Sequence, residues 1–92
     1  MDFEWNENKR EYNLEKHGID FIDAVEIFDD PDRIEAESIR ERERRCQTIG
    51  LVNDVVLFVV YTHRSKIKRI ISARRASKNE RKTYYEANEN EG

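Results

Sequence analysis

The sequence predicts a small α+β domain, with two N-terminal helices, an antiparallel sheet of about four strands and a C-terminal helix. The first observation behind it is helical: Phe21, Ala24, Val25 and Phe28 recur at i, i+3, i+4 and i+7, the spacing of one buried face. The second is the uninterrupted apolar run Val55-Val56-Leu57-Phe58-Val59-Val60-Tyr61. Its β-branched residues mark a central strand covered on both sides. The third is Ser77-Lys78-Asn79-Glu80, the capping box that starts a helix. A chain of 92 residues makes one domain, here taken as 1–92.

The elements follow in order. Phe3-Glu4-Trp5 alternates and reads as a short strand or an N-terminal tuck. Asn6 caps a helix that runs to about His17, and Gly18 supplies the positive φ that ends it. Its apolar content, Tyr12 and Leu14, is thin, which predicts a surface helix. Asp20 caps the second helix, where Ile22 and Ile27 widen the buried face. Pro31, inside Asp29-Asp30-Pro31-Asp32, stops it.

Beyond Pro31 the pattern is extended. Ile34 to Ile39 reads as a polar edge strand, and Arg40 to Arg45 as a charged hairpin region. Cys46 to Leu51 is the next strand, with a turn within Gly50-Leu51-Val52-Asn53-Asp54. After the apolar run, Arg64-Ser65-Lys66 turns the chain and Ile67 to Arg75 returns as a strand. The last helix spans Lys78 to about Asn88, and the polar segment from Glu86 to Gly92 is expected to fray.

Charge divides this chain. Its net charge is −3, yet residues 1–62 carry eight Lys/Arg against sixteen Asp/Glu. Residues 63–82 carry nine Lys/Arg against Glu80 alone. Such a division suits a polyanion at one part and a cationic partner at the other; the alternative is that the two parts face each other. No run of about 18 apolar residues is present, so no membrane contact is expected. The acidic start lacks the features of a signal peptide, and Cys46 is the only cysteine, which together predict a cytoplasmic setting. The two histidines, His17 and His63, lie far apart, and neither a metal motif nor a glycine-rich phosphate loop occurs. No cofactor is expected.

The cationic third has a chemistry to offer. Guanidinium forks match phosphate oxygens and suit the extra charge of a five-coordinate phosphorus. RNA carries its own nucleophile, the 2′-hydroxyl, so cleavage needs a base, an acid, alignment and cations rather than a metal. His63 is the candidate for proton transfer, and Tyr61 or Tyr84 for stacking a base or giving a proton. Plain alternatives stay open: Tyr61 as strand packing, His63 as an exposed turn residue, Arg64 as a solvated cation. In an antiparallel hairpin Tyr61 to Arg64 lie at the turn and Arg74 at the far end, while Arg74 and Arg75 point to opposite faces.

A set of segments resembles the BrnT toxins of bacterial type II toxin–antitoxin systems across nearly the whole chain. They are Phe3-Glu4-Trp5-Asn6, Asn13 to Phe21 with Lys16-His17-Gly18, Phe28-Asp29-Asp30-Pro31, Val60-Tyr61-Thr62 and Ile70 to Ser77. Glu80-Arg81 and Tyr84-Tyr85-Glu86 complete it. The resemblance implies a RelE-like fold and a metal-independent endoribonuclease that inhibits growth. It also implies a hetero-oligomer with a BrnA-like antitoxin, which alone contacts DNA. The candidate catalytic residues are Arg64, Arg74, His63 and Tyr61, and the candidate RNA contacts are Lys16, His17, Arg75, Lys78, Arg81 and Tyr84; the family pattern ranks Arg74 and Arg64 above Arg75. Family members often carry an acidic residue where this chain has His63, so the proton-transfer group is left open. A non-catalytic RNA-binding module and a protein-interaction module are the alternative functions.

Overall fold

The computed structural model describes residues 2–89. Strand β1 (Asp2–Glu4) leads to helices α1 (Glu7–His17) and α2 (Phe21–Ala24), the latter tightening into a 3-10 helix over Val25–Asp29. Strands β2 (Ile34–Arg40), β3 (Glu43–Val52), β4 (Val55–Arg64) and β5 (Ile67–Arg75) follow, and α3 (Lys78–Glu89) ends the described chain. The sheet has the order β1-β5-β4-β3-β2.

The α+β class and the element order agree with the sequence, but the sheet differs in two ways. It has five strands, and it is mixed: β1 runs parallel to β5, with Phe3 opposite Lys68. Three residues of alternation are too few to announce a pairing partner more than sixty residues away. The strands are also longer than expected. The charged hairpin read at Arg40 to Arg45 is present, with its turn confined to Glu41 and Arg42, both with positive φ. That two-residue loop matches the twist of a hairpin, as does Asn53-Asp54 between β3 and β4.

Gly50 lies within β3, inside the strand read over Cys46 to Leu51, and the turn falls at Asn53-Asp54. A side chain there would meet Ile27 Cγ1 at 2.7 Å, so glycine is what lets the 3-10 helix settle on the sheet. The same helix alters the buried face. With three residues per turn after Ala24, Ile27 falls beneath Phe21 and Ala24, and all three are fully buried. Phe28 is only partly buried, and Ile22 is half exposed.

The main core lies between these helices and one sheet face, where Val59, Tyr61, Ile70 and Ala73 meet Phe21 and Ile27. A smaller core forms on the other face, where α3 lays Tyr84 against Val56 and Ala76. The cap expected at Asn6 is present, its Oδ1 accepting from Asn8 N and Lys9 N. Gly18 closes α1 at φ 71°, and Asp20 caps α2 through Ile22 N. Tyr12 and Leu14 are exposed, as the thin apolar content of α1 predicts.

What holds α1 down is Asn13, the one buried residue of that helix. Its amide donates to Ala73 O at 2.7 Å and accepts from Ala73 N at 3.1 Å. β1 covers only Asp2 to Glu4, opposite Ile67 to Arg69, so Asn13 supplies the main-chain pairing that β5 lacks further on. The part of the expected frayed tail at 90–92 lies outside the described residues.

Candidate functional site

Alternation along β4 and β5 distributes the cationic residues over two faces and two ends. Tyr61 and His63 face the helix side, whereas Thr62 and Arg64 face the side that carries α3. Arg64 pairs with Ile67 at the hairpin, while Arg74 pairs with Phe58. Six residues along β4 thus separate the two arginines, about 20 Å of strand.

At the α3 end, Arg74 is engaged. Its guanidinium forks onto Glu80 at 2.8 and 3.0 Å and lies 4.2 Å from the centre of the Phe58 ring. Glu80 also accepts from Ser77 N at 2.7 Å, and Ser77 Oγ accepts from Glu80 N, so the capping box and the ion pair coexist. The Arg74 guanidinium, helped by Ser77 N–H, holds the Glu80 carboxyl down at about 2. Arg81 donates to Ala76 O at 2.9 Å. Lys78 and Arg81 sit on α3, close to Arg74 in sequence.

Neither tyrosine proposed for base stacking offers a free ring. Tyr84 is 5% exposed and gives its hydroxyl to Asp30 Oδ2 at 2.6 Å. Asp30 in turn accepts from Leu51 N and Asp32 N; burial works to raise its pKa, but these hydrogen bonds outweigh it and lower it. Tyr61 is 2% exposed and donates to Glu35 Oε1 at 3.0 Å. Burial, then Glu35, pushes its pKa up, so it stays protonated and is a poor proton donor. Tyr61 instead backs His63, the two rings meeting edge-on at 5.4 Å.

The opposite end of the sheet is open. The β3–β4 ladder stops at the pair Cys46–Tyr61, yet β3 begins at Glu43 and β4 continues to Arg64. A cavity of about 570 Å³ lies where these two ends part from each other, lined by Arg42, Glu43, Arg44, Thr62, His63 and Arg64. Here the cations are loosely held. Arg64 Nε is 3.8 Å from Glu4 Oε1, and Arg44 Nε is 3.8 Å from Glu37 Oε2, both beyond hydrogen-bond length. The Arg64 and Arg44 side chains are 66% and 69% exposed.

This cavity brings together two of the four expected catalytic residues, His63 and Arg64, with Tyr61 beneath and Arg74 remote. Of the expected RNA contacts, Lys16 and His17 end α1, Lys16 lying 5.6 Å from the Tyr12 ring centre. Arg75 lines a separate cavity with Asp20, Asp23 and Val55. Arg42 and Arg44 are additions. They read in sequence as part of a mixed-charge run, and only the tight Glu41-Arg42 turn brings them beside β4. Among the described residues no three His, Cys, Asp or Glu side chains gather as a metal-ligand set.

A protein-family model described as "Ribonuclease toxin, BrnT, of type II toxin-antitoxin system" matches residues 5–80. No curated protein matches the chain.

Proposed function

The chain belongs to the BrnT family of ribonuclease toxins of type II toxin–antitoxin systems, and from that premise we propose that it cleaves RNA without a metal ion at the open end of its sheet. The observation that carries this reading is the cavity between the separated ends of β3 and β4, where His63 lies beside three arginines, Arg42, Arg44 and Arg64. Family membership implies an antitoxin partner and an RNA target. The partner is a BrnA-like antitoxin that brings the pair to DNA, and the setting is cytoplasmic. No helix among the described residues is long and apolar enough to cross a membrane.

The chemistry follows from the residues. A scissile phosphate seated among the arginines has its charge offset before reaction, and the added charge of the five-coordinate state offset more strongly. The His63 imidazole takes the proton of the adjacent 2′-hydroxyl. The 2′-oxygen bonds to phosphorus as the bond to the 5′-oxygen breaks, and that oxygen takes a proton from solvent. The products are a 2′,3′-cyclic phosphate and a 5′-hydroxyl. Tyr61 is a positioning residue, since it touches His63 and not the cavity. Arg74, spent on Glu80 and Phe58, is left to structure, and Lys78 and Arg81 on α3 are the backbone contacts along the flanking strand.

The test is end analysis of a single-stranded RNA incubated with the purified chain in EDTA. Cyclic phosphate ends are expected. Cleavage that needs an added divalent ion, or that leaves 3′-hydroxyl ends, contradicts the mechanism.

A further inference from the structure

The two edges of the sheet are treated differently. At one edge β1 and then the Asn13 amide cover the main chain of β5. At the other, β2 has β3 on one side and, among the described residues, no strand on the other. Six of its seven residues are exposed. A long open edge is a pairing template, and proteins usually blunt it.

Which groups face outward follows from the hairpin. The Glu41-Arg42 loop closes on the pair Arg40–Glu43, so hydrogen-bonded pairs recur at Ser38, Ala36 and Ile34. The residues between them, Glu35, Glu37 and Ile39, turn their N–H and C=O groups to the free side. Their side chains share the helix-side face, so an incoming strand meets two carboxylates and then Ile39, which is 79% exposed. Simple blunting by charge does not account for an exposed isoleucine in that row. Pairing with a second copy is disfavoured, because the antiparallel register of fullest overlap sets Glu37 against Glu37. The cations already near these acids leave room for others: Arg33 Nε is 3.3 Å from Glu35, Arg44 Nε 3.8 Å from Glu37, and the Glu37 side chain is 60% exposed.

We infer that β2 receives an extended, cationic segment of the antitoxin as a sixth strand, paired to Glu35, Glu37 and Ile39. Two cations of that segment lie opposite the glutamates and an apolar side chain lies against Ile39. The inference rests on the reading that the partner is an antitoxin. It uses the acidic part of the chain, −8 over residues 1–62, and leaves the basic part to RNA.

The test uses the chain and a BrnA-like antitoxin co-expressed with it. Glu37→Pro removes an outward N–H without touching the β2–β3 ladder, so the fold should survive. Glu37→Lys reverses the charge with the backbone intact, and serves if the proline variant does not fold. Each should weaken antitoxin binding roughly 10-fold or more. The amides of Glu35, Glu37 and Ile39 should exchange more slowly in the complex than in the free chain. Unchanged affinity in the folded variants, or unchanged exchange at these amides, overturns the inference. So does self-association of the free chain through β2. RNA cleavage by the free chain is assayed separately, and its absence would count against the ribonuclease mechanism only.

Discussion

The two ends of the sheet carry the same kind of residue in opposite states. At the α3 end, Arg74 is forked onto Glu80 and stacked on Phe58, while the Tyr84 hydroxyl is given to Asp30 and the Asn13 amide to Ala73 and Ile19. At the hairpin end, Arg44 and Arg64 approach carboxylates no closer than 3.8 Å and stay largely exposed around a cavity. A guanidinium already matched to a carboxylate is not free to meet a phosphate without leaving a charge unpaired. The difference teaches that a cationic stretch is divided by its partners, with one end given to structure and the other left to the substrate.

The comparison predicts that changes at the closed end act on stability. Asn13→Ala should act most, since it strips the Ala73 N–H and C=O of their partners in a buried setting. A loss of about 3 kcal/mol in denaturant unfolding is expected. Arg74→Ala should cost about 1–2 kcal/mol, reduced by its partial exposure, because Glu80 loses its fork but keeps Ser77 N–H. A cost near zero would mean that the closed end is not held by that pair.

Acid probes the same pair. The Glu80 carboxyl is depressed from 4.5 to about 2 in the folded chain, so its contribution is complete above pH 4.5 and is lost as pH falls toward 2. Glu80→Gln should remove that part of the acid-unfolding slope, as read by circular dichroism between those limits. The smallest effect is expected from Tyr84→Phe, about 1 kcal/mol for one hydrogen bond to Asp30.

Much of the closed end was legible in sequence because its signals are local. Ser77 and Glu80 announce their own capping box three residues apart, and Asn6, Gly18 and Asp20 mark helix ends by similar short-range chemistry. The division between Arg74 and Arg75 followed from strand alternation. What stayed hidden depends on distance along the chain. Asn13 looks like an ordinary polar residue on a surface helix until Ala73, sixty residues on, lies beside it. Asp30 reads as a helix stop, and only the fold brings Leu51 N and the Tyr84 hydroxyl to it. Gly50 lies where a strand and a turn segment overlap in the sequence, and nothing local says why glycine is needed there until Ile27 lies against it.

The open end was half legible. His63 and Arg64 stood out as a histidine and an arginine at a strand end. Arg42 and Arg44 sat in a run of alternating charge that commonly means a solvated loop. No local pattern says that the β3–β4 ladder stops at Cys46–Tyr61 while both strands continue. That parting of the strands makes the cavity, so the site depends on a feature of pairing rather than of composition.

The central claim is tested most directly by comparing RNA cleavage rates of Arg64→Ala and Arg74→Ala, each measured where the variant is fully folded. Arg64→Ala is expected to lower the rate by roughly 100-fold or more with little change in melting temperature. Arg74→Ala should keep most of its rate while losing stability. A full rate in Arg64→Ala, with the loss appearing in Arg74→Ala instead, would contradict the assignment of catalysis to the open end of the sheet.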